Sequence, residues 1–165
     1  MTALLSLLLV VHVLSVIFWV GTTLFMLFFV EPTVAALGPD GGKFMQKLIG
    51  GTPLSSALAA TAILTVLTGL AMYGPVTANS LDVMLGARLP LTIGAIAGIL
   101  SAITGGAING RASARMQALS KEIAAKKGPP APEQLAEMQK LQATLRQGSR
   151  ITAILMVIAV VGMTW

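Results

Sequence analysis

The chain has 165 residues, 55% of them hydrophobic and only 10% charged, with a formal net charge of +5 and a mean hydropathy of +0.85. A soluble domain carries roughly 25% charged residues, so this composition predicts an all-α integral membrane protein. With no cysteine, disulfides, thiolate metal sites and thiol redox chemistry are excluded.

Residues 3–30 form a run of 28 residues without a charged side chain, longer than the roughly 20 needed to cross a bilayer. Nothing basic precedes Lys43 and the run is too long for a signal core, so it reads as mature structure. Three further apolar segments follow at about residues 53–73, 89–109 and 151–165. They predict a four-helix bundle in a single transmembrane domain covering residues 1–165. The last segment is short for a crossing unless its polar start is partly immersed, which places Trp165 at the far interface.

The connections carry all seventeen charged residues, and their basic residues are unevenly shared. Lys43 and Lys47 lie in the first, Arg88 alone in the second, and eight in the third. The positive-inside rule then puts the first and third connections in the cytoplasm and both termini outside, as in a bacterial-type inner membrane. The net charge is an orientation signal and gives no support to nucleic-acid binding.

The third connection, residues 111–150, breaks at "GPPAP" (128–132). Met116, Leu119 and Ile123 before the break, and Leu135, Met138, Leu141 and Leu145 after it, recur at helical spacing. They predict a cytoplasmic antiparallel helical hairpin that prolongs helices 3 and 4. Its bland role is a solvated stalk; docking of a partner or of anionic lipid is the alternative. In the third span Gly94, Gly98, Ala102, Gly106 and Gly110 make a small-residue ridge suited to close helix contact, within the bundle or in a homodimer.

On a helical wheel of the first span, His12, Ser15, Trp19, Thr23 and Met26 share one face. His12, the chain's only histidine, lies about 14 Å from the outer end of its helix, near the bilayer midplane. An imidazole there needs a partner: a hydroxyl, a backbone carbonyl or a metal. Thr61, Thr65 and Thr68 on the second span supply a hydroxyl stripe, continued by Gly69 and Met72. The six carboxylates all lie outside the apolar cores, so no zinc enzyme or hydrolase can be assembled within one chain. No phosphate-binding loop is present either. Haem differs, because the porphyrin supplies four nitrogens and one axial histidine suffices.

"HVLSVIFWVG" (12–21), followed by "EPTVAAL" and by "GARLPLTIG" (86–94), resembles the copper-resistance D-like membrane proteins and, more distantly, the oxygen-independent protoporphyrinogen oxidase family. The resemblance implies haem b on the first-span histidine, His12, and a basic residue opening the third helix, here Arg88. The chain departs from the oxidase family in having Arg88 where lysine is usual and no second histidine. A bis-histidine haem would need a second protomer; Met72 or an open site completes the alternatives. The expected site is therefore His12 as metal ligand, with Ser15, Trp19 and Thr23 lining the pocket and Arg88 pairing with a propionate. The implied function is electron transfer or haem-linked redox chemistry with a membrane redox partner. Copper or small-solute transport, with Met1, Met72, Met84 and Met163 as soft ligands, and a non-catalytic accessory subunit are the rival readings.

Overall fold

The computed structural model describes residues 3–126 and 129–164, and every regular element among them is helical. Met1, Gly128 of the expected hairpin tip, and Trp165, expected at an interface, lie outside the described residues. Four rods are long and apolar enough to cross a membrane: Ala3–Ala36, Leu54–Thr77, Leu89–Ala125 and Pro132–Met163. The rods outrun the apolar segments that predicted them, because helix continues into the charged flanks.

The first rod joins α1 (Ala3–Phe25), a π-helical turn (Met26–Val30) and α2 (Glu31–Ala36). Pro32 accounts for the wide turn: it has no N–H to give Phe28 O, and its ring would strike that carbonyl, so the preceding turn opens. The rod stops at Gly38, whose φ of +56° is left-handed and suits a residue without a side chain. The chain then folds back as α3 (Pro39–Gly50), an amphipathic helix within the first connection.

The second rod, α4 (Leu54–Thr77), contains Pro75 in its last turn and ends in left-handed Ala78 and Asn79. A short α5 (Leu81–Leu85) leads to the third rod, built of α6 (Leu89–Ile103), a π-helical segment (Thr104–Gly110) and α7 (Arg111–Ala125). The connection is pinned by Thr92, whose hydroxyl donates to Met84 O at 2.9 Å and receives the Tyr73 hydroxyl at 2.8 Å.

The fourth rod, α8 (Pro132–Met163), is one unbroken helix of 32 residues, about 48 Å long. Pro132 occupies its first turn, and the Gln134 side chain accepts the otherwise orphaned N–H of Ala131 at 3.1 Å. α8 runs antiparallel to the third rod. Gly162 meets Pro90 and Gly94, Thr152 meets Gly105, and Gly148 meets Asn109. Further down, Arg115 grips Glu137 through two hydrogen bonds of 2.7 and 3.0 Å. The fourth apolar segment thus gains length from its polar start: Gly148 and Thr152 are buried against α6 and its π-helical extension.

The packing is inside out by the standard of a soluble protein. Leu14, Ile17, Leu67 and Ile154 are each about 60% exposed, whereas His12, Ser15, Thr65, Thr68, Ser101 and Thr152 are buried. α1 pairs closely with α4 and α6 with α8, while the two pairs touch only lightly. In the α6·α8 pair, the Gly94 and Gly98 part of the predicted ridge packs on Ala159, Gly162 and Met163, so it serves the bundle; Gly106 meets no neighbour within 4 Å.

Candidate functional site

The light contact between the pairs leaves a cleft of about 800 Å³ at the end of the bundle opposite the basic connections. That size falls in the range of small-molecule and cofactor sites, roughly 300–1,000 Å³. Its walls are mostly aliphatic, with Leu5, Leu9 and Val16 from α1, Leu91 and Ile99 from α6, and Val160 from α8. The polar groups are few: His12, Thr65, Tyr73, Arg88 and Thr164.

His12 is 8% exposed and held from behind by α4. Its Nδ1 lies 3.0 Å from Thr65 O and 3.1 Å from Thr68 Oγ1. Thr68 commits its own hydrogen to Leu64 O at 2.5 Å, so both atoms facing Nδ1 are acceptors. These contacts assign the proton to Nδ1. Nε2 then carries the lone pair, and it makes no hydrogen bond among the described residues. Gly69 makes room for the ring: a Cβ there would come within 3.0 Å of His12 Cε1. A histidine anchored through Nδ1–H to a carbonyl, with Nε2 free, is the arrangement that orients imidazole as a metal ligand.

Arg88 immediately precedes α6, is exposed, lines the cleft and forms no ion pair among the described residues. Tyr73, also on the cleft, has its hydroxyl fixed by Thr92. This end of the cleft therefore offers a free guanidinium to an acidic group, beside the apolar walls.

Of the residues expected around the site, the cleft brings together His12 and Arg88, along with Met72 and Met163. Ser15, Trp19 and Thr23 do not line it. Ser15 and Trp19 are buried farther down the same face of α1, and the Thr23 hydroxyl is spent on Trp19 O at 2.8 Å. The physical reason is burial: His12 opens on the cleft, whereas Ser15 and Trp19, on the same face of α1, are covered inside the bundle and serve as packing. Met84 is likewise off the cleft. Of the threonine stripe, Thr61 and Thr68 bond back to carbonyls one turn earlier. Thr65 does not, and its buried Oγ1 has no partner among the described residues.

Tyr73 was missed from sequence, although it stands four residues after Gly69 and eight after Thr65, on the same stripe, as the only tyrosine in the chain. The aliphatic walls carried no such signal, since every apolar residue of a membrane helix looks alike until its neighbours are known. Among the described residues no group of three or more His, Asp or Glu side chains converges as a metal cluster. His12 is the imidazole on the cleft, and Met72 and Met163 are the thioethers that share it. No family model matches the chain, no curated protein matches it in sequence, and no solved structure matches its fold.

Proposed function

We propose that this chain is a multi-pass membrane protein that binds haem b through His12 Nε2 in the cleft between its two helix pairs and serves electron transfer or haem-linked redox chemistry. The observation that carries the reading is the fixed tautomer of His12, with Nδ1 on Thr65 O and Nε2 unpaired beside an apolar cleft of about 800 Å³. The donor set fits the group: one neutral imidazole for iron, aliphatic walls for the macrocycle, and Arg88 for a carboxylate at the rim. When bound, haem b supplies a one-electron iron couple. The chain's own part is to hold His12 in register against α4, exclude water with the α1, α6 and α8 walls, and neutralise acidic substituents with Arg88.

The outward display of leucine, isoleucine and phenylalanine supports membrane insertion, because patches of this extent are not left to water. With ten of the eleven basic residues in the first and third connections, we place the end that carries those connections, including the α7·α8 hairpin, in the cytoplasm and the cleft toward the outer leaflet, with both termini outside. The motif around His12 and Arg88 agrees with a distant place among the copper-resistance D-like and protoporphyrinogen oxidase-like proteins.

The test is an absorption spectrum of protein purified after expression with ample haem, for wild type and His12→Ala. A Soret band that His12→Ala abolishes, and that Arg88→Gln weakens without abolishing, is expected. A haem-replete wild type without the band, or a His12→Ala variant that keeps it, overturns the proposal. A copper site is the second reading, favoured by Met72 and Met163 lining the same cleft as His12. Stoichiometric copper with no iron in the purified protein would select it.

A further inference from the structure

α3 (Pro39–Gly50) has no part in the cleft. It begins against α2, where a Cβ on Gly41 would run into Val34 O, and ends beside α7, where a Cβ on Gly50 would lie 4.0 Å from Gln117 Oε1. The helix therefore crosses from the first rod to the third at the basic end of the bundle. At 100° per residue its apolar side chains, Phe44, Met45, Leu48 and Ile49, fall on one side, and Lys43, Gln46 and Lys47 fall on the other.

The protein covers only part of that apolar side. Met45, Leu48 and Ile49 are half-buried, while Phe44 remains 48% exposed. Lys47 is three residues from Phe44, hence on the adjoining strip of surface. Lys43 is tied to Asp40 at 2.9 Å, whereas Lys47 forms no ion pair among the described residues. An exposed aromatic next to an unpaired ammonium matches the boundary between acyl chains and anionic headgroups, where the ring enters the apolar layer and the amine meets phosphate. Phe28 and Phe29, in the π-helical turn of the first rod, are also exposed, at 64% each.

We infer that α3 is an interfacial helix that seats on the membrane surface through Phe44 and recruits anionic phospholipid through Lys47. This rests on the proposed membrane insertion of the four rods, and not on haem.

The chain's lack of cysteine makes the test direct. Single-cysteine variants Phe44→Cys, Gln46→Cys and Leu14→Cys carry an environment-sensitive fluorophore in nanodiscs of phosphatidylcholine, with or without phosphatidylglycerol. Leu14, 63% exposed on α1, reports insertion of the rods: quenching there by deep spin-labelled lipid upholds the membrane reading whatever α3 does. The label at position 44 is expected to be quenched by shallow spin-labelled lipid and shielded from aqueous iodide, while that at 46 stays open to iodide. Adding phosphatidylglycerol should raise the ratio of lipid to iodide quenching at position 44 several-fold. Lys47→Gln, in the Phe44→Cys background, should lower it by about fivefold, the effect of one basic residue at an anionic surface. If Leu14 reports lipid but position 44 is as open to iodide as position 46, α3 is not interfacial and the inference falls alone. Shielding at 44 that ignores both phosphatidylglycerol and Lys47→Gln overturns the anionic-lipid assignment.

Discussion

The close approach of α8 to α6 at Gly162 makes a sharp prediction about what joins the two helices. A Cβ added at Gly162 would sit 2.5 Å from Pro90 O and 2.8 Å from Gly94 Cα. Both are backbone atoms of a helix and cannot swing away, so Gly162→Ala must push the helices apart by about 0.9 Å to reach ordinary contact at about 3.4 Å. Overpacking of this kind costs about 2–3 kcal/mol, against which a helical Gly→Ala change returns about 1 kcal/mol. The net expectation is a loss of about 1–2 kcal/mol, or roughly 2–8 °C in the unfolding midpoint of a chain this size. Gly106→Ala is the control: nothing lies within 4 Å of its added methyl, so the propensity gain should stand alone and the midpoint should hold or rise. Thermal unfolding in one detergent, followed by helical circular dichroism, compares the two. A Gly162→Ala midpoint equal to or above that of Gly106→Ala would refute the claim that backbone contact at this crossing holds the pair together.

Three smaller perturbations probe the site and the hairpin. Gly69→Ala places a methyl 3.0 Å from His12 Cε1 and should displace the ring, lowering retention of the proposed haem on purification several-fold with little change in unfolding midpoint; unchanged retention would show that the ring position does not matter. Thr65→Val removes a buried hydroxyl without a partner but keeps the carbonyl that receives His12, so thermal unfolding should be unaltered or stabilised by up to about 1 kcal/mol; a clear loss would mean that the hydroxyl is bonded after all. Glu137→Gln weakens the two-pronged contact with Arg115. Because the pair is exposed, its effect on the midpoint should be small and should vanish at high salt, whereas a salt-independent loss would contradict an electrostatic role.

How far the sequence could be read depended on which interactions are local. The four apolar segments, the need of His12 for a partner and the small-residue ridge of α6 follow from composition and spacing within one helix, and each has its counterpart in the rods, the His12 contacts and the Gly94–Gly162 crossing. The lengths of the rods were harder, since charged residues such as Glu31, Arg111 and Arg150 end an apolar run without ending a helix. α3 went unrecognised because its 12 residues hold three charges and three glycines, and its amphipathic pattern is too brief to stand out. Neither π-helical segment was foreseen, although Pro32 gave a local reason for the first; for the second, Gly105 and Gly106 permit the wider turn without requiring it.

The cleft itself was the least legible feature, because it is a property of how helices pair. The wheel of α1 gathers His12, Ser15, Trp19 and Thr23 on one face, and a single-helix argument treats that face as one environment. The bundle divides it. Ser15 and Trp19 are buried off the cleft and become packing, whereas His12 and Val16 line it. At His12 the Thr65 carbonyl takes Nδ1, and above it the α1·α4 pair parts from α6 and α8. The α4 contact that takes Nδ1 is thus the one that leaves Nε2 for the cleft. It follows that substitutions on α4 at Thr65, Thr68 and Gly69 bear on the chemistry of His12 more directly than substitutions at Ser15, Trp19 or Thr23 on its own helix.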